Sequence, residues 1–487
     1  MTRTLRRMIG ASVLIVLLTC GALSIAAIET VGTVADLLAK GGFVKSADLH
    51  PVGADSPTTF LILGSDQRDK GAVDYSSSAR SDTILLVHLD PGSGLWSEMS
   101  IPRDFYLQWR WQGNTYNSRI NQAFTTGGVK ASLHVVTDLL HIPINYVVDI
   151  SFSAFDKIVD KLGCVYVDVD HRYFNPTGTG FAAIDVRPGY QPLCGQHALD
   201  YVRYRHDDNT FARDAREQAF LRDAKEQLGL SGLLTHAQDI VNALSGYITS
   251  NIRGDTTVAG LIETALSSVS GPVNQIQFPD DPTIIGGADL QTATPRQIRN
   301  VVRQFLAPSV APPRVAGIVA AARRAVRHHH AHGSSAGSFV PSAPRLIATS
   351  SSVATQALTL APDVNFPIVV PSLVLDTATL DPYEALSHYA VRDPQGGRHF
   401  GYRIDWSTGN VGSYYGIEGM NWTDPPLFAH ADHVRIAGVT YLYVNTGGKV
   451  QDVGWIAHGA LYWISNTIFQ DLSNDQMFAL AESAAGA

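Results

Sequence analysis

A chain of 487 residues with a formal net charge of −8 is too long for one ordinary domain and leaves room for two or three. Its acidic balance gives no support to a nucleic-acid partner, and no basic reading helix is apparent that would make it a transcriptional regulator.

The N-terminus carries Arg3, Arg6 and Arg7, then Met8–Ile28 without a charge. At 1.5 Å per residue such a run reaches roughly 30 Å, the thickness of a bilayer core. The positive flank predicts a cytoplasmic N-terminus and a single transmembrane helix within residues 1–30, with the main domains extracytoplasmic. A signal peptide cut near Ala26-Ala27 is the rival, and the length of the run favours a retained anchor. Residues 31–57 read as a stalk, a short helix to about Lys40 followed by Gly41-Gly42. Of three cysteines, Cys20 lies in the apolar run. Cys164 and Cys194 lie beyond it and pair if that region is extracytoplasmic; two buried thiols are the other reading.

The span 58–306 reads as one α/β domain. Apolar strands are predicted at Thr59–Leu63, Thr83–Leu89, Trp96–Ile101 and Val165–Val169, with helical patterns at 128–140 and 152–162 between them. Helices then run to about residue 269, and Gln275–Ile285 and a helix Pro295–Phe305 close the domain. Within it, Tyr201–Gln218 holds Arg203, Arg205, Arg213 and Arg216. The aromatic and β-branched residues of Tyr201–Arg205 predict a strand with Arg203 and Arg205 on one face. Asp207-Asp208-Asn209-Thr210 offers caps for a following helix, which places Arg213, Arg216 and Phe220 on one stripe. Four cations beside a helix N-terminus suit a phosphate group. A solvated or ion-paired arginine face is the competing reading.

Residues 307–345 turn to Ala, Pro, Ser, Arg and His, the composition of a linker. Its tract Arg327–His332 has no Cys or acidic cluster to complete a zinc site. From 346 to 487 an aromatic-rich α+β domain is expected, with hairpins such as Gly438–Val444 before Gly447-Gly448 and a helical tail from Tyr462 to Ala485.

Arg80-Ser81-Asp82-Thr83, Ile101-Pro102-Arg103-Asp104, Ser118–Phe124 and Tyr201–Gln218, in that order after one anchor, resemble the LytR–CpsA–Psr proteins of bacterial cell envelopes, most closely their actinobacterial branch. The resemblance covers roughly residues 58–230. It implies a three-layer α/β/α domain with a central mixed sheet and an apolar lipid pocket. It also implies an extracytoplasmic, metal-dependent transferase that moves a glycopolymer from polyprenyl pyrophosphate onto a peptidoglycan muramic acid hydroxyl, through a phosphodiester.

Carried onto this sequence, the resemblance makes Asp82 the ligand of Mg2+ (or Mn2+), with Asp66 a second carboxylate. Arg80, Arg103, Arg119, Arg203, Arg205, Arg213, Arg216 and Gln218 would bind the pyrophosphate, and Asp104 would be the base. Turn capping by Asp66 and an arginine partner for Asp104 are the structural alternatives. Two departures stand out. Arg119 replaces a lysine common in the family, and Glu217 stands where a glutamine is usual. A non-catalytic envelope protein that binds the lipid-linked polymer, and a polyprenyl pyrophosphate hydrolase, are the other functional readings.

Overall fold

The computed structural model describes residues 31–307 and 345–486, apart from short internal stretches of which 67–78, 178–182, 205–209 and 236–247 are the longer. The expected transmembrane segment, most of the Ala/Pro/His-rich linker and Arg205 therefore lie outside the described residues. Among the described residues no helix is long and apolar enough to cross a membrane. The chain forms two compact units that do not follow sequence order: residues to Trp96 with Tyr106–Leu162 and Leu230–Gly271, and Ser97–Phe105 with Gly163–Gly229 and Pro272 onward.

The first unit is built on a mixed sheet. Thr58–Ser65 pairs antiparallel with Ser81–Asp90 on one side and parallel with Tyr146–Ser151 on the other. Beyond Tyr146–Ser151 comes Ile248–Ser250, antiparallel, and then Gly42–Phe43, parallel. The apolar runs predicted as strands form these strands because Leu61, Leu63, Ile84 and Leu86 are all shut off from solvent. Each such side chain contributes about 1.5–3 kcal/mol by burial. Helices Phe152–Leu162 and Asp255–Val269 pack through Ala154, Ile158 and Val258 against Tyr146 and Ile248. Ala35 and Leu38, from the segment read as a stalk, belong to that same cluster.

In the helix Gln122–Leu140 the turn breaks at Gly127-Gly128, where Gly128 takes a left-handed φ of 62°. A Cβ on Gly127 would lie 2.7 Å from Trp111 Nε1, so the close approach of the Tyr106–Trp111/Asn114–Arg119 hairpin requires glycine there.

In the second unit, Val165–Val169 pairs antiparallel with Gly189–Leu193, and a Cys164–Cys194 disulfide ties the far ends of the pair. Helix Gly195–Arg203 starts directly after it. The C-terminal region is an antiparallel sheet in the order Thr379–Leu380, Arg398–Ser407, Tyr414–Met420, Ala460–Ser465, Lys449–Ala457, Val439–Thr446, Asp432–Ile436, with Leu386–Arg392 also on Arg398–Ser407. One face holds Tyr402, Trp406, Tyr415 and Trp455 beneath helix Asn474–Ala485, and the other holds Met420, Leu461 and Trp463 with Tyr190. The expected helical tail from Tyr462 is thus corrected. Ala460–Ser465 is a central strand covered on both faces, and such an apolar run has no period that tells strand from helix.

The C-terminal sheet grips the disulfide-tied hairpin through one buried cation. Arg403 donates to Asp405 (2.5 Å), Glu418 (2.6 Å) and Asp168 (2.5 Å), and Trp463 Nε1 donates to the other Asp168 oxygen at 2.9 Å. Burial works against the Arg403 charge, but Asp168, Asp405 and Glu418 outweigh it and hold its pKa well above the ordinary arginine value. The cost falls on the acids. Burial pushes Asp405 and Glu418 up, and Asp168 adds to the rise at Glu418.

Candidate functional site

In the first unit, the ends of two paired strands carry the acidic candidates. Ser65 lies opposite Ser81, with a bulge between Gly64 and Ser65, and the next residues outward are Asp66 and Arg80. Asp66 Oδ1 accepts the Arg80 N–H at 2.5 Å, and the Asp66 N–H donates to the Arg80 carbonyl at 3.0 Å. This clasp fixes both main chains at the mouth of the sheet, two residues from the half-buried Asp82. Thr125 Oγ1, on helix Gln122–Leu140, donates to the Ala79 carbonyl at 3.0 Å and steadies the approach to the exposed Arg80. Arg119 is exposed at the end of its hairpin strand, paired in register with Tyr106.

Among the described residues no group of three or more His, Cys, Asp or Glu gathers at metal-holding distance. Two hard carboxylates near one strand end, one already holding a main-chain N–H, are a donor set that fits Mg2+, which takes one or two carboxylates and completes its shell with water and phosphate oxygens.

One acid that sequence reading did not single out lies beneath this edge. Asp149 stands in Tyr146–Ser151, in register with Leu63 and Thr249. It is 5% exposed, and burial pushes its carboxyl up to about 7 against a lowering by the Ser65 hydroxyl. Its signal in the sequence was a lone acid inside an apolar strand.

The second unit holds the remaining candidates. Arg103 and Asp104 form a turn in which the Phe105 N–H donates to the Pro102 carbonyl at 2.9 Å. Arg103 Nε is 3.5 Å from Asp104 Oδ2, both side chains being mostly buried. The expected strand at Tyr201–Arg205 is corrected: Tyr201, Val202 and Arg203 close the helix Gly195–Arg203. Ala198, Leu199, Tyr201 and Val202 all point into the core, and that helical stripe overrides the local β preference.

The helix Thr210–Thr235 carries Arg213 and Arg216, 1% and 0% exposed. Arg216 Nε donates to the Tyr201 carbonyl at 2.6 Å and Nη2 to the Tyr204 carbonyl at 2.8 Å. Its guanidinium lies 4.5 Å over the Tyr173 ring, with Tyr201 and Tyr204 rings also around it. The side chain therefore fastens the C-terminal end of one helix to the next. Arg213 Nε is 3.6 Å from Glu217 Oε1, one turn on. The departure at Glu217 thus sets a carboxylate against one of the arginines.

Residues 30–305 match the family model described as the LytR_cpsA_psr family, and that stretch is more than half of the chain. The protein is a member of the LytR–CpsA–Psr family. Every acidic and basic candidate of this LytR–CpsA–Psr protein falls inside the matched stretch, and the C-terminal sheet lies beyond it. The chain is similar to the polyisoprenyl-teichoic acid–peptidoglycan teichoic acid transferase TagU of Bacillus anthracis, 30% identical over 208 residues that take in 42% of this chain and 63% of that relative. The match thus spans less than two thirds of the length of that relative. With the TagU of Enterococcus faecalis the identity is 25% over 253 residues, 51% of this chain and 78% of the other. Among solved structures, protein gbs0355 from Streptococcus agalactiae aligns with a TM-score of 0.46 and 22% identity, over 52% of this chain and 88% of that one.

Proposed function

We propose that this LytR–CpsA–Psr protein transfers a glycopolymer from polyprenyl pyrophosphate to peptidoglycan outside the cytoplasmic membrane. The observation that carries the reading is the family match over 30–305 taken with the clasp of Asp66 on Arg80 beside Asp82. The similar proteins of Bacillus anthracis and Enterococcus faecalis are named as transferases of teichoic acid from a polyisoprenyl carrier to peptidoglycan.

In this reading the hydroxyl of a muramic acid attacks the polymer-bearing phosphorus. The P–O bond to the terminal phosphate of the lipid breaks, and polyprenyl phosphate leaves with the electron pair. Such transfers are governed by positioning and by charge placed against the non-bridging oxygens. Arg80, Arg103, Arg119, Arg203, Arg205 and Arg213 would neutralise those oxygens. Arg216, committed to the Tyr201 and Tyr204 carbonyls, acts by holding Arg203 in place. Asp104, kept beside the Arg103 guanidinium, would take the proton of the attacking hydroxyl. Mg2+ held by Asp82 and Asp66 would supply positive charge to the pyrophosphate.

An apolar berth for the lipid chain, and a membrane anchor through Met8–Ile28, belong to the same proposal. The positive flank Arg3–Arg7 and a disulfide of the kind kept in oxidising compartments support an extracytoplasmic location. The test is substitution in folded protein. Asp82→Ala and Arg203→Ala are each expected to lower transfer at least a hundredfold, and full ligation by either would remove the site assignment.

A further inference from the structure

The turn that follows strand Ala460–Ser465 is held more firmly than a surface connection needs. Asn466 uses its whole amide: Oδ1 accepts from the Thr467 and Leu472 N–H groups at 2.8 and 3.0 Å, and Nδ2 donates to the Val450 and Leu472 carbonyls at 2.9 and 3.0 Å. The Asp471 N–H donates to Thr467 Oγ1 at 3.0 Å, and Ser413 Oγ donates to Asp471 Oδ2 at 2.5 Å. Inside this frame Gln470 adopts a left-handed φ of 57°, a conformation that costs a non-glycine residue on the order of 1 kcal/mol or more. A strained residue in a rigid frame is the arrangement of a preorganised binding turn.

The turn presents Phe469 and Gln470 to a cavity of about 170 Å³. Facing them are Pro102, two residues ahead of Asp104, and Gln218, two residues beyond Arg216. Gln275 and Phe278 also line it, along with the apolar Ile276 and Ile468. Gln470 Nε2 donates to Gln275 Oε1 at 3.2 Å, while Gln275 Nε2 is buried without an acceptor among the described residues. No described lining residue is charged.

That chemistry narrows the ligand. Amides offer a donor and an acceptor side by side, which suits vicinal hydroxyls, and phenyl rings suit the apolar face of a sugar ring. An anion or cation would lose its hydration here with no opposite charge to replace it. A cavity of roughly 150 Å³ admits a benzene ring, so this one is on the scale of a single six-membered ring.

We propose that the cavity is a carbohydrate subsite for one neutral pyranose, with Phe469 and Gln470 of the turn after strand Ala460–Ser465 acting as specificity determinants. The identity of the sugar rests on the transfer reading above: it is either the first sugar of the lipid-linked donor or a ring of the peptidoglycan acceptor.

Two probes separate the sources: a short-chain N-acetylglucosaminyl diphospho-geraniol for the donor, and N-acetylglucosaminyl-N-acetylmuramyl pentapeptide for the acceptor. Each is titrated into purified full-length protein by calorimetry, and saturation-transfer NMR reads which ring protons touch the protein. Wild type is expected to saturate the pyranose protons of at least one probe, and Gln470→Ala and Gln275→Leu to weaken that probe about tenfold with unchanged melting curves. The weakened probe names the source. No pyranose saturation from either probe in wild type, a readout that needs no variant, would overturn the subsite, and so would variants that bind both probes as wild type does. Because binding is read without turnover, sugar binding lost in the variants of a protein that transfers nothing would sink the transferase reading alone. Unchanged binding in an active transferase would sink only the subsite.

Discussion

At the scale of single residues, Arg216, Glu217 and Asp149 make the sharpest claims. Removing the Arg216 side chain takes one donor from each of the Tyr201 and Tyr204 carbonyls, a loss of about 1–3 kcal/mol for each buried bond to a charged group. Arg216→Ala is therefore expected to lower stability by about 2–6 kcal/mol, read as a lower urea midpoint. Arg216→Lys should not rescue it, because one ammonium cannot span both carbonyls in the plane of the fork. Glu217 lies against Arg213 and draws on its charge. Glu217→Gln is expected to tighten binding of a soluble pyrophosphate several-fold and to steepen its salt dependence, read by titration at two ionic strengths.

Asp149 gives a pH signature. Its folded carboxyl, raised to about 7, keeps a proton that the unfolded chain releases near pH 4. The folded state binds more protons over that window, so stability falls as pH rises from about 4 to 7, by up to about 1.4 kcal/mol per pH unit for this group. Asp149→Asn, which mimics the neutral acid, is expected to flatten the fall in melting temperature across that range. A wild-type slope retained in the variant would count against it.

Elements were legible where pattern and environment agreed. Thr58–Ser65 and Phe152–Leu162 stand where alternation or a 3.6-residue stripe predicts them, and Ser81–Asp90, buried on both faces from Ile84 to Leu89, stands where a short β-branched and leucine-rich run predicts a strand. Tyr201–Arg203 was illegible as helix, since its β-branched and aromatic residues favour a strand and only tertiary packing of Ala198, Leu199 and Val202 decides otherwise. Strand Ala460–Ser465 lost its alternation to burial on both faces. The motif acids and arginines could be read from the sequence, but the use of Arg216 as a helix clamp could not: its acceptors are main-chain carbonyls, which leave no trace in residue identity. The disulfide joins cysteines 30 residues apart, at the base of the hairpin that Arg403 grips. Cys164→Ser with Cys194→Ser is expected to cost about 2–4 kcal/mol by chemical denaturation against the oxidised wild type, and reduced wild type should match the variant.

At the scale of the molecule, the C-terminal sheet and the hairpin of the family domain share one compact unit. Tyr190 is fully buried, donates its N–H to Glu418 at 3.3 Å and accepts the Leu427 N–H at 3.0 Å. A chain ending at 345 would leave Tyr190 and Asp168 without those partners. Faster hydrogen exchange over 163–193 than in the full chain is expected, and equal protection would show that the hairpin stands alone. Full-length protein with Mg2+, a polyprenyl-pyrophosphate-linked glycopolymer and peptidoglycan is expected to release polyprenyl phosphate in equal amount to polymer newly joined to peptidoglycan by a phosphodiester, followed by phosphorus NMR. Donor bound tightly with no polyprenyl phosphate released, or polymer phosphate freed into water with none attached, would contradict it.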